Sequence, residues 1–412
     1  MNKISAEILI VGAGPAGLAA AAAASPFVKV TLIDDNPFVG GQIWRAERGK
    51  KKSGHIKNFL EAIDRGRVEL HNSAQVYGLK DTRILLAETK NGKLEIEFEK
   101  LILATGARER FLPFRGWTLP NVMGAGGLQS LVKGGLPIAN KRVIIAGTGP
   151  LLLAVAEYLK RRGAKVLAIA EQTPASKLRR FGIGLMRSPA KLMQAMSIRA
   201  RLIGVPYLTE SWVTSANGNE KLKSVTLIRR GKSRSIDCDF LACGFHLVPN
   251  NELAALIGCE AANGFVLVDE FQQTSVPNVF CAGEPTGIAG VESAIVEGEI
   301  AGFTAAGRSE QASKLFKRRD RAKRFGDSLN EAFTLRGELR TLADAETIVC
   351  RCEDVPFGKL GEFKTFREAK LQTRCGMGPC QGRICGAATQ FLFDWEPPTV
   401  RPPIFPVKME NL

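Results

Sequence analysis

Five cysteines fall within the last 63 residues of this 412-residue chain: Cys350, Cys352, Cys375, Cys380 and Cys385. Thiolates at short spacing select zinc or an iron–sulfur cluster. Cys350-Arg-Cys352 puts two sulfurs on one turn, and Cys375, Cys380 and Cys385 follow in the run Cys-Gly-Met-Gly-Pro-Cys-Gln-Gly-Arg-Ile-Cys. The Gly and Pro residues there permit tight loops that turn backbone amides toward sulfur. Structural zinc sites favour wider cysteine pairs than Cys-x-Cys, so the spacing favours iron over zinc or free thiols. Cys238, Cys243, Cys259 and Cys281 each stand alone among apolar residues and read as core thiols.

The other end of the chain offers a phosphate cradle. Glu7 to Val11 reads as a buried parallel strand that runs into Gly12-Ala-Gly14-Pro15-Ala16-Gly17 and then an Ala-rich helix. Gly12 allows the tight turn, Gly14 lets a pyrophosphate approach the backbone, and Gly17 lets helix and strand pack closely. The helix start presents free N–H groups and a positive dipole end to phosphate. A second strand, Val28 to Ile33, ends at Asp34, 17 residues past Gly17, where an acid takes ribose hydroxyls; Asp35 is the weaker alternative. The same stretch imitates a secretory signal, but strand, turn and helix account for each glycine.

A second loop follows the strand Lys141 to Ala146: Gly147-Thr-Gly149-Pro-Leu-Leu152, with Glu171 ending the next strand. Leu152 stands where the third glycine belongs and is expected to push the helix off the strand. A nicotinamide-type fold follows, with nicotinamide occupancy in doubt; Glu171 would repel a 2′-phosphate, favouring NAD over NADP. No Cys precedes Cys238, so no redox-active pair lies beside either loop, and disulfide-reductase chemistry is excluded. The only His residues are His55, His71 and His246, and they suggest no acid–base set.

The net charge of +16 is scattered, with local runs at Lys50 to Lys52 and Lys314 to Arg324. No aromatic interleaving accompanies them, so a solvated or docking face is expected and nucleic-acid binding is not. Nine cysteines in a chain this long fit a reducing cytoplasm better than a secreted disulfide framework. No apolar run is long enough to span a membrane.

Leu101-Ile-Leu-Ala-Thr105-Gly106 looks like the strand and turn that close an FAD domain, and Thr274 to Glu284 looks like the distal FAD motif. Together with the first loop they resemble the two-dinucleotide flavoprotein superfamily over residues 1 to about 305. That resemblance implies an FAD pyrophosphate on Gly12, Gly14, Pro15, Ala16 and Gly17. It further implies Thr105 and Gly106 closing the site, Gly283 and Glu284 meeting the ribityl chain, and Gly41-Gln42 approaching the ring. Glu284 departs from the usual Asp by one methylene, which alters reach and not chemistry. The helix after Gly290 would aim its start at the flavin pyrimidine.

The cysteine segment resembles the [2Fe–2S] domain of bacterioferritin-associated ferredoxin, which implies Cys350, Cys352, Cys380 and Cys385 as ligands with Cys375 the rival. Asp34-Asp-Asn-Pro, Gly40-Gly-Gln42-Ile, Trp117-Thr-Leu-Pro-Asn-Val-Met123, Gly126-Gly-Leu-Gln129 and Gly283-Glu-Pro-Thr-Gly287 complete a pattern over nearly the whole chain. It resembles the A-type (α) subunits of dye-linked amine and imino-acid dehydrogenases, the group of D-hydroxyproline dehydrogenase, opine oxidase, hydrogen cyanide synthase and hetero-oligomeric L-proline dehydrogenase. The Cys352 to Cys375 stretch is short for that group.

What this resemblance implies is an electron-transfer subunit with FAD and a [2Fe–2S] cluster, in a hetero-oligomer. An amino-acid-oxidase-like β subunit would oxidise an amine or imino acid of hydroxyproline, proline or opine type, with a small ferredoxin-like γ subunit in some relatives. The second nucleotide site would hold NAD, ATP or nothing. The location would be cytoplasmic, with peripheral contact at the inner membrane face left open. The alternative is a stand-alone NADH-dependent flavoprotein reductase. The fold class expected is α/β: two doubly wound (Rossmann-like) domains plus a small iron–sulfur domain. FAD binding takes 1–110 and 246–305, an NAD(P)-like domain 111–245, a charged helical linker 306–345, the cluster domain 346–395 and a Pro-rich tail 396–412. Polar stretches Lys177 to Arg187 and Asn217 to Lys223 are expected as loops.

Overall fold

The computed structural model describes residues 2–44, 54–186, 188–396 and 399–412. The basic run 50–52 and the side chain of His55 lie outside the described residues. The chain forms two compact units: Met1–Arg108 with Pro249–Asp327 and Thr399–Leu412, and Glu109–Val248 with Ser328–Pro398.

In the first unit, strands Val68–Asn72, Val30–Asp34, Asn2–Val11 and Gly92–Leu103 run parallel in that order. Val279–Cys281 pairs in parallel with the last three residues of Gly92–Leu103. The long Gly92–Leu103 strand also carries an antiparallel extension, Ile84–Thr89 and Gln75–Asp81. Ile8, Ile10, Leu32 and Ile102 are fully buried because helices cover the parallel part, which is why these strands read as unbroken apolar runs. Register then sets the site. Val11 lies opposite Leu103 and Leu103 opposite Cys281, so three strands end together. The loops that begin at Gly12, Ala104 and Ala282 therefore share one carboxyl edge, where nucleotides bind in such sheets.

The charged 306–345 segment is helical at Ser309–Ser313 and Phe316–Ala332. Leu315 and Phe316 pack with Val296, Ile300 and Ala312, so this arm buries its apolar face on its own unit. Its residues up to Asp327 count with the first unit and those from Ser328 with the second. The end of the tail returns to the first unit: Ile404 donates its N–H to the Tyr77 carbonyl at 2.7 Å, and Asn411 donates to Glu88 at 2.6 Å.

The second unit has a five-stranded parallel sheet in the order Tyr207–Thr209, Lys165–Glu171, Arg142–Thr148, Phe240–Phe245, Val122–Gly124. A three-stranded antiparallel sheet, Ser211–Gly218, Leu222–Arg229 and Lys232–Asp237, follows in the same unit. The stretch expected as a loop from Lys177 is helical over Ala175–Leu185. Its Lys, Leu and Arg residues are good helix formers, and polarity alone is a poor guide there. The second polar stretch is the turn of the Ser211–Gly218/Leu222–Arg229 hairpin, as expected.

The cysteine segment folds around its own small core of Val349, Val355, Leu360, Phe366, Ala369 and Trp395. Short as it is, the Cys352 to Cys375 stretch holds a helix, Phe366–Thr373. Thr365 caps it by accepting the Glu368 N–H at 3.2 Å, while Glu368 reaches back to the Lys364 N–H at 3.1 Å. A second helix, Cys385–Phe393, begins on a cysteine.

Candidate functional site

The first site is built at the shared edge of the first unit. Gly12 sits at φ +107°, and a Cβ there would lie 2.2 Å from the Ala104 carbonyl oxygen, so the loop and the neighbouring turn touch backbone to backbone. Asp34 is buried. Its carboxylate accepts the Ala13 N–H at 2.5 Å and the Asn36 N–H at 2.8 Å, which fixes the loop and the acid together. Asp35 is exposed and accepts from the Asn36 side-chain amide. Thr105 donates to the Asn250 carbonyl at 2.7 Å, and Asn250 donates back to the Thr105 carbonyl at 2.9 Å. This pair stitches the Thr105–Gly106 turn to the chain that re-enters the unit. Gln42 is exposed on the short helix Gly41–Trp44.

Glu284 is the most informative group. The Gly290 and Ala289 N–H groups hydrogen-bond to its carboxylate, yet its Oε2 is buried without a partner. Burial first, and then the charge of Glu297, lift its carboxyl from 4.5 to about 7. A buried acceptor left open is costly unless a ligand donor fills it. Glu297, which sequence reasoning missed, holds the Gly283–Glu284 turn in place. It accepts the Gly283 N–H at 2.8 Å, the Thr286 hydroxyl at 2.8 Å and the Ser293 hydroxyl at 2.9 Å. The helix Val291–Ala305 carries three glutamates, Glu292, Glu297 and Glu299, and only the packed helix shows that Glu297 is the buried one. Glycine loop, buried acid and open carboxylate together fit a dinucleotide that carries hydroxyl groups, as FAD does.

The second loop is different. Leu152 is fully buried and does not force the helix away, because Gly244 on the next strand makes room; a Cβ there would meet Leu152 Cδ2 at 3.2 Å. Glu171 is also fully buried, and burial pushes its carboxyl up. It accepts the Gly149 N–H at 2.9 Å and the Thr173 N–H at 3.0 Å, with the Tyr207 hydroxyl at 3.3 Å. The acid expected to hold a ribose is spent on the protein itself. Glu109, also missed, caps the helix Ala125–Lys133 by accepting the Gly126 and Gly127 N–H groups at 2.7 and 3.0 Å. His246 is a satisfied structural residue, its Nε2 2.8 Å from the Phe333 carbonyl oxygen, and burial lowers its pKa.

The five C-terminal thiols gather as a trio and a pair. The sulfurs of Cys350, Cys375 and Cys385, all buried, lie within 4.8 Å of one another. Cys352, exposed, hydrogen-bonds to Cys380. The Cys375 and Cys385 thiols hydrogen-bond to Cys350 and hold its pKa well below the usual thiol range. The Gly376 N–H points at the Cys350 sulfur at 3.5 Å, the kind of amide that tunes a cluster sulfur. The set Cys350, Cys352, Cys380 and Cys385 thus draws one couple from each group, and Cys375 stands inside the buried trio. The donor set is all sulfur, which suits iron–sulfur or zinc. The other four cysteines are buried singly, and burial raises the pKa of each. Among the described residues no helix is long and apolar enough to cross a membrane.

Residues 6–301 match the family model described as pyridine nucleotide-disulphide oxidoreductase. The chain is 31% identical to hydrogen cyanide synthase subunit HcnB of Pseudomonas aeruginosa, over 92% of this chain and 90% of that protein. It is 30% identical to the A-type subunit of opine oxidase from Rhizobium meliloti, over 98% of this chain and 87% of that protein. Its fold is shared with L-proline dehydrogenase from P. horikoshii, at a TM-score of 0.70 and 19% identity, covering 100% of this chain and 80% of that one. With the two-dinucleotide fold, the shared carboxyl edge and a family match spanning most of its length, the chain belongs to the pyridine nucleotide-disulphide oxidoreductases, an oxidoreductase family of α/β fold.

Proposed function

We propose that this chain is the electron-transfer subunit of a multi-subunit dehydrogenase whose partner oxidises a C–N bond of an amine or imino acid. FAD would lie on the first unit and a [2Fe–2S] cluster in the thiol cage. Bound FAD accepts electrons in pairs and releases them singly, and a cluster carries them one at a time. One observation carries the reading: a dinucleotide cradle with an open buried carboxylate and an all-sulfur cage occur on one polypeptide.

The chain's own residues have defined parts. Gly12, Gly14, Pro15, Ala16 and Gly17 seat the pyrophosphate, with Asp34 on the ribose and Thr105 and Gly106 closing the turn. Glu284 accepts a ribityl hydroxyl on its open Oε2, with Gly283 held by Glu297. Cys350, Cys352, Cys380 and Cys385 hold the cluster, and Cys375 packs beside them. Gln42 and Asp35 stay at the exposed rim.

The relatives' names support the division of labour, since both full-length relatives are named as subunits. An amino-acid-oxidase-like β chain, with a small γ chain in some assemblies, completes the hetero-oligomer, and a cytoplasmic location suits the free thiols. The stand-alone NADH reductase is disfavoured by Glu171, whose carboxylate is already taken.

The test is anaerobic co-purification with a β chain, followed by addition of proline, hydroxyproline or an opine. Flavin on this chain should be bleached in the complex and unchanged in the chain alone. Full-rate turnover by the isolated chain would overturn the proposal.

A further inference from the structure

We propose that residues Phe333–Arg336 occupy the place of a nicotinamide dinucleotide in the second unit, so that this chain takes no electrons from NADH or NADPH. The inference stands on that unit alone and does not depend on the flavin reading.

In a doubly wound sheet the ligand lies outside the carboxyl ends of the strands, over the glycine loop. Here those ends are Thr148 on the central strand, Gln172 and Thr173 after the next, and His246 after the strand on the other side. All four contact the incoming chain or its anchors. The Phe333 carbonyl accepts from Thr148 Oγ1 at 3.3 Å and lies 2.8 Å from His246 Nε2. The Thr334 carbonyl accepts from Gln172 Nε2 at 3.2 Å, and the Arg336 N–H donates to Gln172 Oε1 at 3.1 Å. Gln172 also donates to Thr148 and Thr173 at 3.0 and 3.2 Å. Phe333 itself is buried and meets Phe181 edge-on, with ring centroids 5.5 Å apart.

The seal is therefore double. Thr148, Gln172 and His246, which would face a nucleotide, are paired to main-chain atoms of the segment, and Thr148, Glu171, Gln172 and Thr173 are all buried. A dinucleotide would have to displace four residues and break these hydrogen bonds before making its own, while Glu171 stays committed to Gly149. Such an exchange gives little surplus for binding. Electrons must then enter from a donor other than a nicotinamide.

The test uses the full chain, purified anaerobically. NADH and NADPH are titrated by calorimetry, and hydrogen exchange of the Phe333–Arg336 amides is followed with and without NADH. The expected result is no saturable binding below about 1 mM, with the Arg336 amide protected and its exchange unchanged by NADH. Saturable binding at micromolar concentration, or an Arg336 amide exchanging as fast as an open loop, would overturn the proposal. The double variant Gln172→Ala/Phe333→Ala loosens both anchors and should bring NADH binding into the measurable range. If that variant keeps its circular dichroism and still binds no NADH, the segment is not what excludes the nucleotide.

Discussion

Changing Glu284 to Gln keeps the shape of the side chain and removes its charge. In the flavin-free protein the folded-state pKa of Glu284 is about 7, against 4.5 in an unconstrained carboxyl. Between those values the folded chain keeps a proton that the unfolded chain has released. The contribution to stability is therefore complete below pH 4.5, is lost as pH rises through about 7, and does not return above it. At ~1.36 kcal/mol per pKa unit the separation corresponds to a loss of about 3 kcal/mol. Glu284 is largely buried, so solvent screening removes little of this. Urea unfolding of flavin-stripped wild type and Glu284→Gln at pH 4.5 and pH 8 measures it. Wild type should lose about 3 kcal/mol more than the variant over that range. Added FAD should shrink the difference, because a hydroxyl donor gives the ionised Oε2 its missing partner. Superimposable pH profiles for the two proteins would refute the argument that Glu284 is a buried acceptor awaiting a ligand.

Three further outcomes follow from the geometry. Asp34→Ala leaves the buried Ala13 N–H without its acceptor, a cost of about 1–3 kcal/mol, and should weaken FAD binding about tenfold or more in ultrafiltration assays. Ile404→Ala empties a site that is 4% exposed within the first unit's core and should cost about 2–4 kcal/mol in urea unfolding. Cys350→Ser, Cys352→Ser, Cys380→Ser and Cys385→Ser should each strip iron, whereas Cys375→Ser should retain it. Iron lost from Cys375→Ser and kept in Cys352→Ser, by metal analysis and electron paramagnetic resonance, would move Cys375 into the ligand set.

Much of the fold was legible because its signals are local. The Gly12 loop, the Ala-rich helix and Asp34 carry their meaning in spacing, and parallel strands buried on both faces leave unbroken apolar runs. Glu297 was missed because its task is to hold backbone 14 residues away, which only the packed helix reveals. Leu152 was judged by the missing glycine, while the space it needs is supplied by Gly244, far along the chain. The Phe333–Arg336 segment left no sequence signature because its anchoring groups are mainly main-chain atoms, which any residue can provide. The gathering of Cys375 with Cys350 and Cys385 depends on how two loops fold over Phe366 and Val349, and spacing alone could not rank the five thiols.

In the proposed function one polypeptide carries both a flavin and a sulfur-held iron cluster. Metal and flavin content of the full chain, purified without oxygen, tests it directly. Roughly two irons with acid-labile sulfide and one FAD are expected per chain. Zinc in the thiol cage, with neither iron nor a yellow chromophore, would contradict it.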